Sequence, residues 1–314
     1  MSTSVFYASD VHGAEILWRK FVNAGKFYGV DVLVMGGDVA GKAVVPVEKT
    51  GDGFLVPQMM GTRVIGPDEI DAVESRIRDT GYYPFRAESD EIAALRENPV
   101  GVSAVFRRVM IESFERWLTL AEERLSGTGI RLYVMLGNDD EPALHDVLAS
   151  SRIAVDAEDG VVDIGEGCQM VSCGWSNITP WASPREMAED KLEAHLDGVI
   201  AQLDDPSRAI FNFHVPPYNT QLDQAPVLDA TLKPVIKGGT MLVEPVGSKA
   251  VRTEIERHQP VLGLHGHIHE SRGAARIGRT ICINPGSVYS EGMLHGALIV
   301  LDRKQKVRYQ LTSG

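Results

Sequence analysis

The sequence predicts an α/β protein in which two β-sheets pack face to face with helices outside. Three observations predict it. Apolar runs of strand length alternate with helical spacing near the N-terminus. Near the C-terminus such runs follow one another with no helix between them. Five segments rich in metal-ligating residue types each follow an apolar run, which places polar groups at strand ends.

Val5 to Ala8 reads as the first strand and feeds the turn Ser9-Asp10-Val11-His12-Gly13. A helix follows from about Ala14 to Phe27, with Ile16, Leu17, Phe21, Ala24 and Phe27 at helical spacing. Asp31 to Gly36 is a second strand, leading into Gly37-Asp38. Arg131 to Leu136 is the next, leading into Gly137-Asn138-Asp139-Asp140. Gln169 to Gly174 and Ala209 to Phe213 come next, the latter leading into His214-Val215-Pro216-Pro217. The short run Pro260 to Leu264 precedes His265-Gly266-His267-Ile268-His269, and strands near Thr280–Asn284, Gly296–Leu301 and Lys306–Leu311 close the chain.

Between Asp38 and Gly137 lies a long excursion. It opens on a hairpin, Ala43–Val47 and Phe54–Pro57 around Thr50-Gly51-Asp52-Gly53, and continues with helical patterns at about Pro67–Arg78, Glu88–Leu95 and Ser103–Leu125. The reading is one domain over 1–314 with an inserted cap at about 42–128 that shapes a substrate pocket by connectivity. A decorative surface insertion is the alternative.

The 314 residues suffice for one large domain, and a net charge of -12 argues against an extended nucleic-acid footprint, which needs Lys and Arg against phosphates. Cys168, Cys173 and Cys282 lack disulfide or zinc spacing. Met1-Ser2-Thr3-Ser4 runs straight into the first strand, and no apolar stretch is long enough to span a bilayer. The expected location is the reducing cytoplasm, with no membrane partner.

These segments, in this order, resemble the calcineurin-like metallophosphoesterases, whose pattern is D-x-H, G-D, G-N-H-D/E, a lone His and G-H-x-H. Here it reads Asp10-Val11-His12, Gly37-Asp38, Gly137-Asn138-Asp139-Asp140, His214 and Gly266-His267-Ile268-His269, followed by the turn Asn284-Pro285-Gly286-Ser287. The resemblance implies a four-layer α/β/β/α sandwich and two divalent metal ions. Asp10, His12, Asp38 and His269 would hold one ion; Asp38, Asn138, His214 and His267 would hold the other, with Asp38 bridging. A carboxylate can span two ions where an imidazole serves one. Mixed nitrogen and oxygen ligands without thiolate suit Mn²⁺, Fe or Zn²⁺, with Mn²⁺ favoured. The implied activity is phosphoester hydrolysis by a metal-activated hydroxide, with a small phosphodiester or cyclic nucleotide as substrate. The competing readings are a catalytically inactive binding scaffold and a nuclease.

The pattern breaks at Asp139, where the family has a histidine that contacts phosphate and helps protonate the leaving oxygen. A carboxyl titrates near 4 and is a poor acid at pH 7. Asp139 is thus a structural or metal-proximal carboxylate, or His265 acts in place of the missing histidine, or catalysis is lost. Asn138 and Arg185 are the candidate substrate contacts. Arg185, ahead of a helix running to about Leu203, either holds a phosphate oxygen or is an ordinary first-turn charge.

Overall fold

The computed structural model describes residues 2–58, 61–304 and 306–314. Two six-stranded sheets form its centre. The first runs, in spatial order, Val307–Ser313, His295–Asp302, Ser2–Ala8, Val32–Gly36, Arg131–Met135 and Ala154–Asp156. The second runs Gly273–Ile277, Thr280–Asn284, Leu262–Leu264, Ile210–Phe213, Cys168–Cys173 and Val161–Gly165. Both are mixed. The inner strands of each are parallel; antiparallel strands close both edges of the second sheet and one edge of the first, whose other edge, Ala154–Asp156, runs parallel to its neighbour.

Alternation along the strands builds the layers. In the first strand Val5 and Tyr7 face the second sheet and pack with Met170, Ile210, Leu264 and Ile283. Phe6 and Ala8 face the other way, onto Leu17, Trp18 and Phe21 of helix Glu15–Tyr28 and Phe114 and Trp117 of helix Pro99–Leu125. The second sheet's outer face, with Val171, Phe211 and Phe213, is covered by Leu192, Leu196, Val251 and Ile255 from helices Glu189–Ile200 and Lys249–His258. The result is the α/β/β/α sandwich.

The segment after Asp38 carries its own four-stranded sheet, in the order Gly61–Ile65, Gly53–Gln58, Ala43–Thr50, Tyr82–Ala87. The expected hairpin is there, and Tyr82–Ala87 adds a parallel strand beside it. The long helix begins at Pro99, earlier than its apolar periodicity indicates. Asn98 caps it by accepting from Gly101 N–H at 3.0 Å, and proline takes the first helical position, where its missing N–H costs nothing.

Candidate metal centre

Because the central strands are parallel, their C-terminal ends share one edge, and the ligand-bearing turns meet there. Asp10 N–H donates to Gly37 O at 3.0 Å and His12 N–H to Asp38 O at 2.9 Å, stitching the first two turns together. Gly266 N–H donates to His214 O at 2.8 Å, and His267 N–H to Asp10 Oδ1 at 3.0 Å, which joins the two sheets across the site. The Asn284–Ser287 turn clamps the last motif: Asn284 Nδ2 donates to Ile268 O (2.9 Å), and Ser287 Oγ to Asp10 O (2.7 Å).

The local backbone is strained where the donors sit. Asp10, His12, Asp38 and His267 all have positive φ, between 41° and 66°. Non-glycine residues there cost free energy that surrounding structure must offset, and such strain concentrates at functional sites. Gly137 has no substitute, since a β-carbon on it would fall onto the Asp38 carboxylate.

The side chains converge as two overlapping sets. Asp10, His12, Asp38 and His269 each offer one ligating atom, all within 4.8 Å of one another, and Asp38, His214 and His267 form a second such set. Asn138 Oδ1 joins the second set, 2.8 Å from His267 Nδ1. The arrangement fits cations. His214 Nδ1–H donates to Gly36 O at 2.8 Å, which turns the buried Nε2 toward Asp38 Oδ2, 3.4 Å away, where a cation or a proton would sit between them. His12 Nε2 lies 3.0 Å from His269 Nε2, a distance at which two imidazole lone pairs repel unless a cation or proton lies between. The titrations agree. Burial opposes a charged His214, yet Asp38 and then Asp10 raise it to about 10. Against the same burial, His269 and His214 hold Asp10 down to about 2. Burial pushes His12 and His267 down to about 4, so both are neutral donors at pH 7.

A pH dependence follows for the metal-free protein. The folded His214 titrates near 10, above its ordinary 6.5, so its contribution is complete below pH 6.5 and is lost as pH rises through 10. Asp140, raised to about 7 by burial and then by Asp38, loses its contribution in the same direction at lower pH, between about 4 and 7, so the fall above pH 7 belongs to His214. The thermal midpoint in chelator is expected to fall as pH climbs from 7 to 9.5. A midpoint that stays level or rises would contradict this electrostatic picture.

Asp140 is fully buried, and its carboxylate accepts from Val39 N (3.0 Å), Ala40 N (2.7 Å) and Gly137 N (2.7 Å). It fixes the loops of Asp38 and Asn138 to each other. Asp139 sits at the rim. Its N–H donates to Asp38 Oδ1 at 3.0 Å, and its carboxylate is held by Lys42 and by Ser183 Oγ. His265 is fully buried; Nδ1 donates to Phe213 O at 2.8 Å, and burial lowers its pKa to about 4. Arg185 is buried behind the Asn138 loop. Its guanidinium ion-pairs with Glu158, donates to Gly137 O at 3.0 Å and lies over the Trp175 ring, so its fork is engaged within the protein. Lys42, Ser183 and Tyr289 carry no motif, and sequence reasoning passed over all three. Tyr289 packs its ring 4.8 Å from His12 and 5.9 Å from His269.

No family model matches the chain. The chain is 33% identical over 151 residues to the uncharacterized protein MJ1162 of Methanocaldococcus jannaschii, an alignment that takes in 48% of this chain and 61% of that protein's length. The crystal structure of TT1561 of Thermus thermophilus aligns over 99% of both chains with a TM-score of 0.51 and 14% identity. Another crystal structure aligns over 99% of both chains with a TM-score of 0.56 and 17% identity. The layer order, the ligand-bearing strand ends and the Asp38-centred donor cluster together define the class: the chain has the calcineurin-like metallophosphoesterase fold.

Proposed function

We propose that the protein is a metal-dependent phosphoesterase acting on small phosphodiesters, cyclic nucleotides among them. The observation that carries the reading is the pair of donor sets sharing one buried carboxylate, Asp38. Asp10, His12, Asp38 and His269 would hold one dication and Asp38, Asn138, His214 and His267 the other, with Mn²⁺ favoured over Fe and Zn²⁺. Bound there, dications supply Lewis acidity toward phosphoryl oxygens and lower the pKa of water. The chain's own contribution is placement: backbone hydrogen bonds and Asp140 hold the donors on rigid strand ends, so little reorganisation is needed during reaction.

The choice of diester over phosphoprotein rests on the inserted segment at 42–128, read as a cap that restricts access, and on the lack of a histidine at 139. A non-catalytic scaffold is the weaker reading, because all seven ligand positions are retained and their donors converge. Among the described residues no helix is long and apolar enough to cross a membrane. The three cysteines are free and buried, in keeping with a cytoplasmic location.

Screening phosphomonoesters, phosphodiesters and cyclic nucleotides with Mn²⁺, Fe²⁺ and Zn²⁺ tests the reading. Diester hydrolysis that chelator removes is the expected result; no turnover with any metal would refute it. Without a proton donor at 139, turnover should depend on the leaving group. An aryl diester is expected to react at least about 10²-fold faster than its alkyl counterpart, the low end of what general-acid help is worth. Equal kcat values for the two would mean that an effective acid acts elsewhere.

A further inference from the structure

At the rim of the donor cluster, Lys42 Nζ pairs with Asp139 Oδ2, while Ser183 Oγ donates to Asp139 Oδ1 and Asn138 Nδ2 lies 3.3 Å from that same oxygen. Through its N–H, Asp139 is tied to the shared Asp38 carboxylate. The Lys42 backbone is equally fixed. Its N–H donates to Gly81 O at 3.3 Å, and the preceding Gly41 is packed so closely that a β-carbon there would run into the same carbonyl.

The ammonium is not sealed in. The Lys42 side chain is 40% exposed and that of Asp139 27%, so the pair lies between the buried donors and solvent. An ordinary surface ion pair contributes little and needs no third group. This carboxylate is gripped by a lysine, a hydroxyl and an amide at once, and it leads directly to the bridging aspartate.

We propose that Lys42, oriented by Asp139 and Ser183, binds a non-bridging phosphoryl oxygen of the substrate. An ammonium has three N–H donors; one is used on Asp139 and two remain for a ligand. Asp139 is then a positioning residue, which gives a reason for a carboxylate where the family has histidine. The Lys42–Asp139 pair adds hydrogen-bond donors with no net charge, which suits the single negative charge of a diester better than the double charge of a monoester. The inference rests on the phosphoesterase reading and names a substrate contact within it.

The test is calorimetric titration of the metal-loaded protein with inorganic phosphate, beside steady-state kinetics on bis(p-nitrophenyl) phosphate. Lys42→Ala should weaken phosphate binding about tenfold or more, as expected for loss of a charge-assisted hydrogen bond, with metal content unchanged. KM should rise by a similar factor while kcat stays within about threefold, the signature of lost uniform binding. Lys42→Arg should recover most of the affinity. Asp139→Asn should weaken binding less than Lys42→Ala and add nothing to it in the double variant, because both changes act through one ammonium. If Lys42→Ala binds phosphate within twofold of wild type, the pair is structural and the inference is overturned while the phosphoesterase reading stands. A wild-type protein that is metal-loaded yet neither binds phosphate nor hydrolyses any phosphoester overturns both.

Discussion

Asp38→Asn is expected to abolish diester hydrolysis and leave the fold intact. Asp38 belongs to both donor sets, is 2% exposed and is surrounded by His12, His214 and the Asp139 N–H. Asparagine keeps the shape but offers one neutral oxygen where two anionic ones stood, so it cannot bridge two cations. Because Asp38 is the one carboxylate common to both donor sets, its loss weakens both metal positions together. His214→Ala should have the same consequence through one site, since His214 belongs to the second donor set alone. Far-UV circular dichroism should stay near wild type while turnover falls well beyond tenfold, a barrier rise of more than about 1.4 kcal/mol. Activity within tenfold of wild type in Asp38→Asn would place the chemistry elsewhere in the molecule.

Glu158→Ala is expected to be among the most destabilising single substitutions, at about 3–5 kcal/mol. Glu158 and Arg185 are each 3% exposed at the side chain, and the pair lies directly behind the Asn138 loop. Removing the carboxylate leaves a buried guanidinium without its counter-charge and takes the acceptor from Gly174 N–H, 3.2 Å away. His145, 3.5 Å from the other Glu158 oxygen, loses a partner as well. The effect should reach the site, because Arg185 holds Gly137 O through its guanidinium and Asn138 O through its N–H at 3.1 Å. Urea denaturation should show a lowered midpoint at unchanged slope, and metal affinity should fall in parallel. A loss below about 1 kcal/mol would mean that the pair is solvated and does not brace the loop.

The ligand-bearing turns were legible in the sequence because each is a contiguous motif at the end of an apolar run, and the parallel arrangement of those runs does the rest. The strands that support them came out within a residue or two, as in Val32–Gly36 and Ile210–Phe213. What escaped were short or mixed-polarity strands at sheet edges, such as Ala154–Asp156, Val161–Gly165 and Gly273–Ile277, whose pairing with a neighbour rather than their own composition makes them strands. Arg185 illustrates the same limit for the site. From sequence it is a charge ahead of a helix; its burial depends on Glu158, 27 positions away. Lys42 and Asp139 are 97 positions apart and meet only because the turns after two neighbouring parallel strands share an edge. The amides at Lys249 and Ala250, which open the helix to His258, are held by the Glu189 carboxylate, 60 and 61 positions away, at 3.0 and 2.9 Å.

The most direct test is metal analysis of the loaded protein combined with anomalous diffraction at the metal edge. Two peaks about 3.5–4 Å apart, both within coordination reach of Asp38, are the expected result. One set should be completed by Asp10, His12 and His269 and the other by Asn138, His214 and His267. A single peak, or none after loading, would contradict the two-metal centre.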